Sequence, residues 1–101
     1  MDERRVVYVL RSDRDPARHY VGLTADVRSR LADHNSGESA HTAKYRPWRL
    51  AVSIEFETQA QAADFERYLK SGSGRAFAKR HFKRREPGER PVDLENGIPS
   101  I

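Results

Sequence analysis

"VVYVLRSDRDPARHYVGLTADVRSRLADHN", residues 6–35, decides the fold. Its first part belongs to "RVVYVLR", 5–11, which is β-branched and apolar between flanking charges and reads as a buried strand. "SDRDPAR" is polar and contains Asp15-Pro16, a turn signal. "RHYVGL", 18–23, reads as a second strand pairing back on the first, and its glycine marks a bulge or a close backbone approach. Thr24 or Asp26 can cap a following helix by accepting backbone N–H bonds. Val27, Leu31 and Ala32 supply that helix's apolar stripe. It should stop near Asn35-Ser36-Gly37, because Asn and Gly tolerate the left-handed conformation.

Working outward, "SGESAHTAKYRP" is a loop and "WRLAVSIEFE", 48–57, alternates as a third strand. Thr58-Gln59-Ala60-Gln61 is a capping box, opening a helix to about Lys70 with Ala62, Phe65 and Leu69 as its buried stripe. "SGSG", 71–74, breaks it, and Ser73 can cap a last helix from Gly74 or Arg75 to about Lys83. The order β-β-α-β-α-α predicts an α+β domain, a small three-stranded, mostly antiparallel sheet covered by helices. This domain is placed at 1–85. "EPGERPVDLENGIPSI", 86–101, has three Pro and two Gly and reads as an extended or disordered tail.

At 101 residues a single core is expected, and with 34% charged residues it should be thin under a charged surface. The net charge of +4 permits an anionic partner without requiring one. Its distribution says more: "RAFAKRHFKRR", 75–85, holds six Lys/Arg and no acid. A solvated helix end explains that run as well as a nucleic-acid surface does. Without cysteine, disulfides and thiolate metal sites are excluded, and a cytoplasmic protein is expected. No apolar run approaches the ~20 residues that span a bilayer, so no membrane association is expected.

Five residues could carry chemistry. Tyr8 and Tyr20 lie in adjacent predicted strands and can reach one end of the sheet, or be core aromatics, since Tyr suits strands. Arg30 and His34 share a helix face at its border with the core. There an arginine often only lays its stem on apolar neighbours, and a lone histidine is usually structural. Glu66 edges the apolar stripe of its helix, where a carboxylate is costly unless paired or holding a metal. Arg67 or Lys70 could pair with it. No phosphate-binding glycine loop, His-Glu-x-x-His or Gly-x-Ser-x-Gly occurs, and the four histidines lack zinc-ligand spacing.

Together these residues resemble the GIY-YIG nuclease domain, in its small stand-alone bacterial form related to the excision-nuclease C subunit. "VYV" at 7–9 and "YVG" at 20–22 stand for the two strand motifs. Arg30 and His34 follow Gly22 by eight and twelve residues, in "RSRLADHN", and Glu66 lies in "DFERYLKSGSGRAFAKR". The resemblance spans roughly 4–83. The first motif keeps only its tyrosine. A late asparagine of some members has no match, and "SGSGRAF" stands in its place. His41 lies in a loop where some members carry a basic group.

The resemblance implies a divalent-metal-dependent endonuclease hydrolysing phosphodiester bonds in DNA. Glu66 would hold Mg²⁺ or Mn²⁺, Arg30 would face the phosphate, and Tyr8 would be the general base with Tyr20 orienting water or phosphate. His34 is the alternative base. Tyrosine's usual pKa near ~10 is too high for that work, so a nearby cation must lower it or the proton must move in a relay. Arg75, Lys79, Arg80 and Lys83, with Ser71 and Ser73, would contact backbone phosphates. Tyr45 and Trp48 could stack on bases, favouring single-stranded or branched DNA over plain duplex, although Trp48 suits the core better. Two rivals stand beside this: a nucleic-acid-binding module of the same fold without catalysis, and an interaction domain whose basic patch meets an acidic protein.

Overall fold

The computed structural model describes residues 2–83. The tail expected at 86–101 lies outside these residues. Three strands, β1 (Arg5–Ser12), β2 (His19–Thr24) and β3 (Trp48–Phe56), form one antiparallel sheet in the order β2-β1-β3. Two helices, α1 (Val27–Ser36) and α2 (Ala40–Ala43), lie between β2 and β3, and two more, α3 (Gln59–Leu69) and α4 (Gly72–His81), follow β3. The α+β architecture expected from the sequence is therefore present, with one short helix added inside the stretch read as a loop.

β1 is the central strand, and its apolar run is buried on both faces. Val7 and Val9 point to one side, where Ala62 and Leu69 of α3 close a core with Val21, Leu23, Val52, Phe56, Phe65 and Phe77 around it. Tyr8 and Leu10 point to the other side, against Trp48, Val27, Leu31, Tyr20 and Tyr45. Alternating side chains on a strand that pairs with both neighbours produce this division. Each fully buried Val or Leu contributes about 1.5–3 kcal/mol, so β1 anchors both cores.

The β1·β3 register slips between Val9 and Leu10: Val9 faces Val52, but Leu10 faces Leu50, leaving Ala51 as an extra residue. The slip has a consequence for side-chain direction. Beyond it Trp48, not Arg49, stands opposite Ser12 and turns to the Tyr8 face.

The helix ends follow local chemistry. Asp26 caps α1 by accepting from the Ser29 N–H, and Gly37 ends it at φ 86°, the left-handed position expected there. Thr58 and Gln61 form the expected capping box on α3, worth about 1 kcal/mol. α4 differs from expectation. It starts at Gly72, and its cap is Ser71, whose hydroxyl accepts the Gly74 N–H; Ser73 is exposed and caps nothing. The break between α3 and α4 is thus one cap residue beyond Lys70 rather than four residues. The helix ends at His81, so Lys83 lies past it.

The stripe of α1 also differs. Ala32 is exposed, and the buried residue one turn beyond Leu31 is His34. Val27, Leu31 and His34 occupy one helical face, so an imidazole takes an apolar position.

Candidate active site

Tyr8 is 1% exposed and lies at the centre of the α1 face of the sheet. Its strand partner is Gly22. A Cβ at Gly22 would stand 2.7 Å from Cε1 of the Tyr8 ring and closer still to Cζ and Oη. The glycine in "YVG" is therefore where the tyrosine of β1 crosses β2. Close approach, one of the two expectations for it, is what the structure contains.

From Gly22 the ring runs into a polar cluster. Tyr8 Oη and His34 Nε2 are 3.1 Å apart. On the far side of the imidazole, Nδ1 is 2.9 Å from Thr42 Oγ1. Tyr20 packs on His34 with ring centroids 4.6 Å apart and lies 6.1 Å from the Tyr8 ring. His34 is 1% exposed, and burial, more than the nearby Arg30 charge, pushes its pKa below the usual value, so it is neutral at pH 7. Burial likewise pushes the Tyr8 phenol up. The nearby Arg30 guanidinium pulls it down by less, and Tyr20 and Glu66 push it up a little further.

Tyr8, Tyr20 and His34 are thus in direct contact, and Arg30 lies one helical turn before His34 on α1. Arg30 is the exposed one among its polar neighbours and also pairs with Asp33 at 3.5 Å. Glu66 is 25% exposed and pairs with Lys70 at 3.5 Å, one of the two partners considered for it; Arg67 instead pairs with Asp64 at 3.2 Å. Among the described residues no three His, Asp or Glu side chains gather at a point, so Glu66 stands without a set of carboxylate or imidazole ligands around it.

Two residues that sequence reasoning passed over hold this cluster. Thr42, on the unexpected helix α2, is 1% exposed; its hydroxyl meets His34, and its carbonyl accepts the Trp48 indole N–H at 2.9 Å. Asn35, expected only as a stop signal, pairs with the backbone of Trp48. Its Oδ1 accepts the Trp48 N–H at 2.6 Å and its Nδ2 donates to the Trp48 carbonyl at 3.0 Å. These bonds tie the end of α1 to the start of β3 and so fix His34 over Tyr8. The available signal was the histidine itself: Val27, Leu31 and His34 share one helical face, which implies a buried partner.

The expected stacking role of Trp48 is corrected. The side chain is 4% exposed and its N–H is bonded, so it is core. Tyr45 is half-buried and lines an open pocket with Trp48. The Ser71 hydroxyl, besides its cap, donates to the Tyr68 carbonyl at 2.6 Å. Arg75, Lys79, Arg80 and Lys83 are all exposed. α4 packs through Phe77 and Ala78 in the core on the other face of the sheet, so its basic residues are not part of the Tyr8 cluster. His41 is exposed on α2 and lines the same pocket as Tyr45.

A family model described as the GIY-YIG catalytic domain matches residues 4–81. A UPF0213 protein of Streptococcus pneumoniae is 39% identical over 71 residues, covering 69% of this chain and 70% of its own. A structure-specific endonuclease subunit SLX1 from Scheffersomyces stipitis is 39% identical over 67 residues, covering 59% of this chain but only 20% of its own. The solution structure of a UPF0213 protein from Bacillus halodurans matches with 30% identity and a TM-score of 0.46, over 75% of this chain and 80% of that one.

Proposed function

The chain belongs to the GIY-YIG family, and we propose that it is a divalent-metal-dependent endonuclease that hydrolyses phosphodiester bonds in DNA. The observation that supports this reading is the buried contact of the Tyr8 hydroxyl with His34, with Tyr20 packed on the same imidazole and Arg30 one helical turn before it.

Arg30 is permanently charged and presents a planar fork of donors, which suits the charge that grows on a phosphate under attack. Glu66 would hold the metal. One carboxylate with water and phosphate oxygens is an ordinary donor set for Mg²⁺ or Mn²⁺, and the side chain is partly open to solvent. When bound, the ion polarises the phosphate and stabilises the leaving oxygen. Lys70 would give up its ion pair to make room.

Tyr8 cannot be ionised in advance, because burial raises its pKa. A relay solves this. As Tyr8 takes a proton from the attacking water, its own proton passes to Nε2 of His34, whose neutral ring offers a lone pair there and, because burial opposes a lasting imidazolium, holds the proton only for the step. Nδ1–H then donates to Thr42 Oγ1, whose hydroxyl can donate to the Ser39 carbonyl at 3.5 Å. In this reading His34 is the proton acceptor behind Tyr8 rather than a separate base, and Tyr20 orients the water or phosphate.

The exposed basic residues of the α4 region, Arg75, Lys79, Arg80 and Lys83, with Ser71 and Ser73, would contact the DNA backbone. Likeness to structure-specific endonuclease subunits favours single-stranded or branched DNA over plain duplex, and with it a role in repair or recombination. A cytoplasmic location, expected from the lack of cysteine, completes the reading. The second reading, a binding module without catalysis, is favoured by one observation, the Glu66–Lys70 pair. Incubation with single-stranded, duplex and flap oligonucleotides in Mg²⁺, Mn²⁺ or EDTA tests both. Cleavage lost in EDTA and restored by metal is expected. Undiminished cleavage in EDTA removes the metal; binding without cleavage in any metal favours the binding module.

A further inference from the structure

The pocket beside the Tyr8 cluster has a composition of its own. It is open, about 130 Å³ in volume, and lined by Arg18, Tyr20, His41, Lys44, Tyr45 and Trp48 among others. It begins where the Tyr8 cluster ends, since Tyr20 belongs to both. Its floor is aromatic, with Tyr45 standing edge-on to Trp48 at 6.5 Å. Its rim is cationic: the Arg18 guanidinium lies 4.7 Å and the Lys44 ammonium 5.2 Å from the centre of the Tyr45 ring.

Tyr45 is held in place before any ligand arrives. Buried Ser12 donates to its carbonyl, and its own N–H donates to the Thr42 carbonyl at 3.1 Å. The two cations are not so fixed. Both side chains are exposed, and Arg18 has only a 3.5 Å pairing with Asp15. An exposed cation over a ring strengthens an equilibrium only about two- to fivefold, whereas a base stacked on an aromatic side chain is worth about 5- to 150-fold. A base therefore displaces the cations, and the displaced cations are left beside that nucleotide's own phosphates.

We propose that this pocket binds one unpaired nucleotide of the DNA strand next to the scissile phosphate, with its base on Tyr45 and its phosphates toward Arg18 and Lys44. This rests on the reading of Tyr8 and Arg30 as the phosphate site. A base held in a duplex is stacked between its neighbours and cannot present a face to Tyr45 without leaving the stack. The pocket therefore selects for single strands and flaps.

Trp48 is the only tryptophan of the chain and borders the pocket, so its fluorescence reports occupancy. The experiment titrates the full chain in EDTA with a single-stranded oligodeoxynucleotide and with a fully paired duplex, following Trp48 emission and the anisotropy of labelled DNA. The single strand should change Trp48 emission as it binds. Tyr45→Ala should weaken single-strand binding by about 5- to 150-fold and leave duplex binding unchanged, while Tyr45→Phe retains single-strand affinity. Arg18→Gln with Lys44→Gln, both at exposed positions, should flatten the salt dependence for the single strand by about 0.7 in log–log slope for each phosphate no longer neutralised, and carries the test if Tyr45→Ala fails to fold. Unchanged single-strand affinity in a folded Tyr45→Ala, or an unchanged slope in the double variant, overturns the proposal. A chain that cleaves DNA but whose single-strand affinity ignores Tyr45 refutes the pocket and leaves the nuclease reading standing. A chain that binds single strands through Tyr45 but cleaves nothing supports the pocket and refutes the nuclease reading.

Discussion

The hydroxyl of Tyr8 and Nε2 of His34 stand 3.1 Å apart in a space that admits almost no solvent, each residue being 1% exposed. One group comes from the central strand and the other from the far end of a helix, 26 residues later in the chain. Their pairing satisfies two polar groups whose burial would otherwise oppose folding.

This pairing predicts a pH dependence of stability. His34 has its folded pKa pushed below its unfolded value of about 6.5. Stability should therefore be full above about pH 6.5 and fall as the pH drops through the lower folded value, by at most about 1.4 kcal/mol per pH unit. Urea midpoints at pH 7.5 and 5.5 measure it. His34→Gln should be less stable at pH 7.5 but lose this part of the slope; an equal slope in the variant would assign the effect to other groups.

Gly22 should not tolerate a side chain. Alanine there would push into the Tyr8 ring, which is backed by Tyr20 and His34, and overpacking of this kind costs about 1–3 kcal/mol. Gly22→Ala should lower the melting temperature and the cleavage rate together. Gly72→Ala, where an added Cβ meets nothing within 4 Å, is the comparison and should be neutral or slightly stabilising.

Arg30→Ala should lower turnover by about 10²–10³ with the fold retained, the usual loss for one preorganised donor at developing charge. Arg28, exposed on the same helix, provides the control. Single-turnover rates for both variants decide the matter: equal effects would make Arg30 a surface charge only.

Glu66→Gln should keep DNA binding and lose cleavage. Glutamine is nearly isosteric, and the helix is held by Phe65 and Leu69 in the core, so packing survives. Its neutral amide is a poor ligand for a hard dication. Lys70→Gln separates the alternatives, because it removes the ion pair and leaves the carboxylate. Cleavage timed in Mg²⁺ and binding titrated in Ca²⁺ should find Lys70→Gln active and Glu66→Gln inactive. Full activity in Glu66→Gln would return the glutamate to its ion pair.

Replacing Lys79, Arg80 and Lys83 together by glutamine should weaken binding to all sequences alike. The log–log salt slope for single-stranded DNA should flatten by about 0.7 for each phosphate that these side chains neutralise. An unchanged slope would place the backbone-binding surface away from α4.

Much of the molecule was legible from residue order alone. The apolar β-branched runs, the Asp26 cap, the Thr58 capping box and the Ala62, Phe65 and Leu69 stripe are local features. They set strand or helix through periodicity and hydrogen bonds between near neighbours. The family was equally legible, because five short motifs that are weak singly occur in order along residues 4–81.

What residue order could not decide is which polar group meets which. A one-residue slip at Ala51 turns Trp48 instead of Arg49 toward the Tyr8 face, and nothing in "WRLAVSIEFE" announces it. Trp48 then anchors Asn35 and Thr42, and Thr42 anchors His34. Burial of His34, and with it the state of the Tyr8 proton, depends on that chain of contacts between distant segments. Local propensity carries no information about such contacts. They exist only once the sheet register is set, and only then does the cost of burying an imidazole and a phenol find its compensation.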